Sequence, residues 1–294
     1  MVSLLLLLAL ASDPTTHSYG PHGVRNTLDL WVPDGEGPHP VVLFVHGGAW
    51  VTGSKAAVGE KTAFLDDGYA VASCNYRLVA NPLRPGDADP ETRVADQAAD
   101  VAAAIGWLAD HAAEQRLDAG RIVLMGHSAG AHLAALVASD PQYLGIHGRR
   151  PSDLAGVVLL DGAGYDVTER AANAEPTMRA VYRLAFSADE ARQRGLSPVA
   201  HAGNADTPPM LILYVARRPE SRYQSEALAA AVREGGGTVT VIPFEGESHS
   251  SINRRLGTEG HAPTAVVRRF LFATAIGGAA GSGQPPQAVG TVAE

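Results

Sequence analysis

The sequence predicts an α/β fold with a mostly parallel twisted central sheet and helices on both faces. Short apolar runs of strand length alternate with longer segments of helical periodicity, and several runs are β-branched throughout, as in strands buried on both faces. The chain has 294 residues, of which 46% are hydrophobic, so it can bury a large core as one sizeable domain.

The first half of the chain predicts three strands and two helices. "NTLDLWVP" alternates and predicts an edge or early antiparallel strand, whereas "HPVVLFVHGG" predicts a central strand. A helix is predicted over residues 56–67, and the strand "YAVASCNY" follows it. A second helix is predicted over residues 90–111, where apolar side chains recur every three or four residues and Pro90 suits a helix start.

In the second half, the strand "RIVLMG" leads directly into the helix "HSAGAHLAALVAS". The strands "AGVVLLDG" and "PMLILYV" flank residues 163–209, an interval longer than a crossover needs. Helical pieces at 175–185 and 188–194 make this interval a small cap-like insertion after the sixth strand, and a candidate lid. A helix over 224–234, the strand "TVTVIPF" and a last helix near 263–274 complete a domain that we place at 13–274.

The two ends of the chain differ in composition from this domain. Residues 1–12 hold an apolar run with the small-x-small motif "ALA", which predicts a weak export signal and a secreted or periplasmic protein. A mis-set start codon or an apolar tail, and with it a cytoplasmic protein, is the alternative. The run is shorter than the roughly 20 residues of a membrane span, so no stable membrane anchor is predicted. Residues 275–294 are rich in Gly, Ala and Pro and predict a disordered tail.

Charge and cysteine content exclude several function classes. The net charge is -8 and basic residues do not cluster, which argues against nucleic acid and favours a small uncharged substrate. The single cysteine, Cys74, can form no internal disulfide and cannot build a zinc site by itself. No pattern indicates the oligomeric state.

The strongest chemical signal is the G-x-S-x-G motif at residues 126–130. An apolar strand stops at Gly126 and a helical pattern starts at once, which is the strand-turn-helix setting of a nucleophile elbow. Ser128 would then lie at the carboxyl end of the sheet and at a helix N-terminus, where developing negative charge is favoured. A capping serine at an ordinary helix start is the alternative.

A second motif, "HGGAW" at residues 46–50, follows the predicted central strand. Consecutive glycines allow backbone N–H groups to point into a pocket, where they can hold the oxyanion of a tetrahedral intermediate. The predicted donors are the amides of Gly48 and Ala49, joined by the amide of Ala129 after the nucleophile. We expect Trp50 and the 163–209 insertion to shape the substrate pocket.

A serine nucleophile needs a base within hydrogen-bond reach. Position selects His249 among the 11 histidines, because it follows the last predicted strand in a loop of glycine and serine. His127 and His132 adjoin the nucleophile as motif spacer and helix residue, and His46 is predicted to support the oxyanion loop.

Together these residues resemble the α/β-hydrolases of the carboxylesterase type that carry an HGGxW oxyanion loop. The similar branches are the hormone-sensitive-lipase-like enzymes, the feruloyl or acetylxylan esterase-like enzymes and the kynurenine formamidases. The elbow reads "GHSAG" where the first branch typically has "GDSAG", which favours the other two. The resemblance implies acyl transfer to water with no metal and no organic cofactor. The matching segments are "VVLFVHGGAW" (41–50), "NYRL" (75–78), "IVLMGHSAGAHLAALVA" (122–138) and "SHSSINRRLG" (248–257).

The chain departs from this family at the third catalytic group. The acid usually lies shortly after the penultimate strand and before a "QS" pair, and counting back from Gln224 by that spacing reaches Arg217. An arginine would repel an imidazolium. The nearest carboxylate, Glu220, is therefore the predicted acid, and Asp161 and Asp166 are the alternatives.

The predicted function is hydrolysis of short acyl or aryl carboxylic esters, with Ser128 as nucleophile, His249 as base and Glu220 as acid. An aryl formamidase or small amidase would use the same groups. The replacement of the usual acid by Arg217 also motivates a third hypothesis, a catalytically weak binding protein of the hydrolase fold.

Overall fold

The computed structural model describes residues 13–81 and 90–276. Within these ranges one eight-stranded sheet runs in the order β1-β2-β4-β3-β5-β6-β7-β8. Its strands are β1 (Thr15–Ser18), β2 (Thr27–Trp31), β3 (His39–Val45), β4 (Ala70–Cys74), β5 (Leu117–His127), β6 (Gly156–Leu160), β7 (Met210–Val215) and β8 (Val239–Phe244). Strand β2 pairs antiparallel with both β1 and β4. The other neighbouring strands pair in parallel. This order and orientation confirm the α/β class and identify the α/β-hydrolase fold.

Helices cover both faces of the sheet. The α-helices are α1 (Thr62–Asp66), α2 (Val94–Asp110), α3 (Ala129–Ser139), α4 (Pro141–Gly145), α5 (Val167–Asn173), α6 (Pro176–Phe186), α7 (Glu190–Gly195), α8 (Pro219–Glu234), α9 (Ser251–Arg254) and α10 (Ala262–Leu271). Short 3-10 helices lie at Gly23–Asn26, Lys55–Val58, Pro151–Asp153 and Pro198–Ala200, and a π-helical turn lies at Phe272–Ile276. In the described part of the chain, no helix is long and apolar enough to cross a membrane.

The core forms two layers because successive side chains of a strand point to opposite faces. On β3, Val41 and Leu43 join a cluster with α2 and α3, whereas Val42 and Phe44 join a second cluster with α10. All seven residues of this strand are buried, which explains its continuous apolar sequence.

Several predicted boundaries are wrong for local reasons. The helix predicted over 56–67 is divided by Gly59, whose φ is 74°, into a 3-10 helix and α1. Helix α2 begins at Val94 rather than at Pro90, and α8 begins at Pro219, five residues before the predicted start. The strand predicted from "NTLDLWVP" is the early antiparallel strand β2, which confirms that alternative, and it is not the edge because the short polar strand β1 lies outside it.

The structure describes only part of the two predicted ends of the chain. The chain stays helical through Ile276, and Ala275 is buried, so the predicted tail starts too early at residue 275. The predicted signal at 1–12 and the rest of the predicted tail lie outside the described residues. Residues 163–209 contain α5, α6, α7 and a 3-10 helix. Their division from the main domain as a cap stays a prediction.

The parallel strands end at nearly the same level of the sheet. Val45 of β3 pairs with Gly126 of β5, and His127 pairs with Leu160 at the end of β6. Val215 of β7 pairs with Phe244 of β8. The loops after these five neighbouring strands therefore meet at one edge, which is where ligands bind in open α/β sheets.

We predict that Gly130→Ala destabilises the fold by about 1–3 kcal/mol, because overpacking of a rigid contact forces the backbone apart. A Cβ on Gly130 would lie 2.1 Å from the carbonyl oxygen of Val45, which belongs to the central strand. Urea denaturation measures the free energy of unfolding. The matched control is Gly145→Ala in α4, where a Cβ would meet no atom within 4 Å and the free energy should stay constant or rise slightly. Equal stability of both variants would contradict the prediction.

Candidate active site

Ser128 occupies a strained turn between β5 and α3. Its backbone has φ 56° and ψ -119°, a region that residues with a side chain rarely adopt. The flanking glycines permit this turn, since a Cβ on Gly126 would lie 2.3 Å from the carbonyl oxygen of Gly130. This is the geometry of a nucleophile elbow, which holds the serine hydroxyl above the carboxyl ends of the strands.

A continuous chain of hydrogen bonds joins Ser128, His249 and Asp161. The Nε2 atom of His249 lies 3.0 Å from Oγ of Ser128, and its Nδ1 atom lies 2.7 Å from Oδ2 of Asp161. With its proton on Nδ1, the imidazole donates to the carboxylate and leaves the Nε2 lone pair to accept the serine proton. The ring is thus oriented to act as a base toward Ser128.

Asp161 directly follows β6 and its side chain is fully buried. Its Oδ1 atom accepts hydrogen bonds from the Val215 amide at 3.0 Å and from the Ser221 hydroxyl at 2.7 Å. Its Oδ2 atom accepts from His249 and from Nη1 of Arg218. Burial alone would raise the pKa of this carboxyl, but these hydrogen bonds and the Arg218 guanidinium hold its pKa well below the usual range. Asp161 is therefore an anion that faces the imidazole.

The structure does not bring Glu220, the predicted acid, into contact with His249. Glu220 lies in the first turn of α8 rather than in a loop, and its Oε1 atom accepts a hydrogen bond from Nε of Arg218 at 2.9 Å. The carboxylate that reaches His249 is Asp161, the alternative considered from the sequence. Asp166, the other alternative, caps α5 through the amide of Glu169.

Arg217 and Arg218 differ in their surroundings. Arg217 is exposed, and no residue in the described part of the chain makes a hydrogen bond or ion pair with its side chain. The Arg218 guanidinium, in contrast, contacts both carboxylates and also lies against Nδ1 of His249. The residue that aligns with the family's acid is thus outside the network, and its neighbour is inside it.

The "HGGAW" loop lies against the nucleophile. A Cβ on Gly47 would lie 3.0 Å from Cβ of Ser128, so the loop and the serine are in close contact. Gly48 and Ala49 have positive φ values of 125° and 52°. Within residues 13–81 and 90–276, nothing accepts a hydrogen bond from the amides of Gly48, Ala49 or Ala129. These unpaired donors can stabilise negative charge beside Ser128.

Trp50 connects this loop to the 163–209 segment. Its side chain is buried and packs against the rings of Tyr182 and Phe186 in α6, with centroid distances of 5.5 and 4.7 Å. Its Nε1 atom donates to Nδ1 of His132 at 3.3 Å, and Nε2 of His132 donates to the carbonyl of Leu196 at 2.8 Å. A chain of contacts therefore couples the loop to the insertion. The placement of Trp50 in a substrate pocket stays a prediction.

His127 has a contact that the sequence did not predict. Its Nε2 atom donates to the carbonyl oxygen of His249 at 2.7 Å, and the two rings lie 4.7 Å apart. Burial lowers the pKa of His127 to about 4, so the ring is neutral near pH 7. The residue beside the nucleophile therefore holds the backbone of the residue that would activate it.

A second network holds the other side of the His249 loop. Glu247 is buried and accepts hydrogen bonds from the Ser251 hydroxyl, from Nη1 of Arg255 at 3.2 Å and from Nε2 of His261 at 3.2 Å. Ser251 begins α9, Arg255 follows the end of α9 and His261 precedes α10, so the loop is tied to the ends of two helices. The sequence hint was a charged residue in a segment rich in serine and glycine, which is not specific.

Three histidines near the site are kept neutral by burial. Burial lowers the pKa of His46, His127 and His132 to about 4 in each case. His46 donates from Nδ1 to the carbonyl of Gly47 at 2.7 Å and stacks on Tyr76, which supports the predicted role under the oxyanion loop. The arrangement as a whole can attack a carbonyl carbon, shuttle one proton and stabilise an oxyanion.

Comparison with known proteins identifies a family and relatives that are named as ester hydrolases. The BD-FAE family model matches residues 28–230, more than half of the chain. A probable isoprenylcysteine alpha-carbonyl methylesterase of Arabidopsis thaliana, ICMEL1, is 40% identical over 38% of this chain and 22% of its own length. The probable carboxylic ester hydrolase LipM of Mycobacterium tuberculosis is 30% identical over 67% of this chain and 46% of its own length. The chain thus spans less than half the length of both relatives.

Solved structures support the fold. Esterase 2 of Thermogutta terrifontis, phosphonylated by sarin, superposes with a TM-score of 0.69 at 22% identity and covers 90% of this chain and 93% of its own. At that identity the likeness shows the fold alone.

We predict that His127→Phe slows the reaction of Ser128 with a serine-directed phosphonate about 3- to 10-fold. The phenyl ring preserves volume but loses the hydrogen bond to the His249 backbone, and such a bond contributes roughly 0.5–1.5 kcal/mol. Mass spectrometry follows the labelling rate. The matched variant His127→Gln retains an N–H donor and should label faster than the Phe variant. Equal rates in the parent and both variants would show that the contact does not position His249.

We also predict that acidification destabilises the fold between pH 6.5 and 5. The histidine pKa values are lowered in the folded state relative to the ordinary 6.5, so the unfolded chain binds protons that the folded chain does not. Stability is full above about pH 6.5 and is lost as the pH falls toward about 4. The expected loss at pH 5 is on the order of 1.5 kcal/mol each for the fully buried His46 and His132, measured by urea denaturation. A free energy that stays constant over this interval would contradict it.

Proposed function

This chain belongs to the BD-FAE family, and on that premise we propose that it is a serine hydrolase that cleaves carboxylic esters with short acyl or aryl groups. The observation that carries the proposal is the hydrogen-bonded series Ser128, His249 and Asp161, set beside a loop of unpaired amides. Two curated relatives are named as ester hydrolases, which supports the same bond as the substrate.

In the proposed mechanism, Oγ of Ser128 attacks the ester carbonyl carbon while Nε2 of His249 takes the hydroxyl proton. The negative charge that develops on the carbonyl oxygen is stabilised by the amides of Gly48, Ala49 and Ala129. Collapse of the tetrahedral intermediate breaks the bond to the alcohol, which leaves with the proton returned by His249. Water then attacks the acyl-serine by the same steps in reverse and releases the acid.

Asp161 serves this mechanism without taking the proton. Its carboxylate keeps the imidazole in the tautomer with the proton on Nδ1 and stabilises the imidazolium that forms. The buried position of Asp161 strengthens this interaction, because a charge pair away from water is less screened. The hypothesis of a weak binding protein loses its motive, since it rested on the absence of an acid near His249.

The surroundings of the loop support the proposed substrate class. We propose that the aromatic cluster of Trp50, Tyr182 and Phe186 fixes one wall of the pocket. A wall of packed rings on a short insertion suits small acyl or aryl groups better than long lipids. The same machinery could open an aryl formamide, so a parallel assay with p-nitrophenyl acetate and N-formylkynurenine decides which bond is preferred.

We predict that a serine-directed phosphonate labels Ser128 stoichiometrically and that labelling falls about 10³-fold or more in His249→Ala, which removes the base. Asp161→Asn should also reduce labelling strongly, since an asparagine favours the wrong imidazole tautomer; the corresponding loss in the trypsin triad is about 10⁴-fold in kcat.

The discriminating control is Glu220→Gln, which changes the carboxylate first predicted as the acid. Its labelling should stay well above that of Asp161→Asn at pH 8. If Glu220→Gln is as inactive as His249→Ala while Asp161→Asn labels at the parental rate, then Asp161 is not the acid. A folded parent protein that neither labels nor hydrolyses esters would refute the proposed function.

A further inference from the structure

Three ionisable side chains meet on the Nδ1 side of His249 and form a group of four with it. Asp161 accepts hydrogen bonds from both His249 and Arg218 on the same oxygen, Oδ2. Arg218 in turn donates from Nε to Glu220 at 2.9 Å. The exposed fractions of the side chains are 0% for Asp161, 25% for Arg218 and 31% for Glu220, so the group is shielded from water to different degrees.

This arrangement differs from a simple acid and base because it contains a permanent cation. A guanidinium beside an imidazole opposes protonation of the imidazole, and a like charge at such a distance commonly shifts a pKa by one unit or more. Since the proposed reaction requires His249 to become an imidazolium, Arg218 alone would slow it. The carboxylate of Asp161 cannot offset two cations by itself.

Glu220 supplies the missing charge. With His249 neutral, the group carries two carboxylates and one guanidinium. When the imidazole takes the proton of Ser128, two anions face two cations and the group is electrically balanced. Without Glu220, the same step would leave two cations around one buried anion, a state that is costly where the effective dielectric constant is low.

The other groups that contact His249 or lie on its loop, in the described part of the chain, do not take this role. His127 from the end of β5 faces the ring of His249 but is kept neutral by burial. Ser128 is uncharged before reaction. Glu247, on the same loop, is engaged by Arg255 and His261 on the opposite side. The balance at Nδ1 therefore depends on Asp161, Arg218 and Glu220.

We propose that Arg218 and Glu220 are a paired set of positioning residues, in which Arg218 fixes the Asp161 carboxylate and Glu220 offsets the charge of Arg218 so that His249 can accept a proton. This inference rests on the proposed function and extends it to residues outside the triad. A purely structural reading is that Glu220 stabilises the N-terminus of α8, where an acidic residue is favourable. The two readings differ in their effect on the pH profile.

The test is the pH dependence of kcat/KM for p-nitrophenyl acetate in single and double variants. Arg218→Gln removes the cation, so the midpoint of the acidic limb of the pH profile should rise by about one pH unit. Glu220→Gln removes the anion that offsets Arg218, so the same midpoint should fall by about one pH unit. The double variant carries the same net charge as the parent, and its limb should return to within about 0.3 unit of the parental position.

Two control variants separate the effect of charge from that of structure. Arg218→Lys keeps the cation and should leave the limb near its parental position, even if its labelling rate falls because the forked contact with two carboxylates is lost. Arg217→Gln removes the neighbouring exposed cation and should shift the limb by less than about 0.3 unit, because solvent screens it. Circular dichroism confirms that each variant is folded, and if Arg218→Gln is not, Arg218→Lys and Glu220→Gln still decide the question.

Opposite shifts that cancel in the double variant support the inference. If the parent is active but the Arg218 and Glu220 variants do not move the limb, or move it in the same direction, then the pair is structural and the inference is wrong. If the parent neither hydrolyses esters nor takes up phosphonate on Ser128, then the proposed function itself fails, and the inference falls with it.

Discussion

The buried carboxylate of Asp161 is the interaction on which the site depends. A carboxylate without water is costly unless its lone pairs are satisfied, and here four donors come from two parts of the chain, residues 215–221 and the loop that holds His249. The Val215 amide belongs to β7, the Ser221 hydroxyl to α8, Arg218 to the residue before that helix and His249 to the loop after β8. Satisfying one anion therefore fixes the relative positions of three chain segments. The hydrogen bonds that compensate for the burial of this anion also hold the segments at the edge of the sheet in place.

Close packing of backbone imposes the second constraint. The nucleophile turn, the central strand β3 and the "HGGAW" loop approach one another so closely that Gly126 and Gly130 have no space for a Cβ and a Cβ on Gly47 would be in tight contact. These contacts bring amide donors and the serine hydroxyl together without long side chains, which would lose conformational entropy on ordering. The strained φ of Ser128 and Ala49 is maintained because the surrounding backbone is itself held by the sheet.

The sequence was sufficient for those parts of the site that local pattern specifies. The fold class, the elbow at Ser128 and the position of His249 follow from apolar periodicity, from glycine spacing and from the order of the strands, and the structure brings Ser128 and His249 together. The sequence placed Glu220 ahead of Asp161 as the candidate acid because that choice depended on a loop count after β7. Helix α8 begins at Pro219, so Glu220 is held in a helical turn and faces Arg218. A carboxylate that immediately ends the buried strand "VVLL" was a better signal, since such a residue must find internal partners. The contact of His127 with His249 spans 122 residues and that of Glu247 with His261 spans 14, and no local pattern contains such contacts.

The acid position in the proposed mechanism also accounts for the arginine. When the carboxylate comes from the end of β6, the loop after β7 no longer has to supply an anion, and a cation there can stabilise the buried Asp161. The same cation would hinder an adjacent imidazole from taking a proton, which makes a second carboxylate beside it useful. Arg218 and Glu220 are separated by a single residue, Pro219, whose restricted φ suits the first turn of α8 and so holds the two side chains at the same helix end. In the proposed mechanism, an acid supplied from the end of β6 therefore accounts together for the arginine, the proline and the glutamate of this segment.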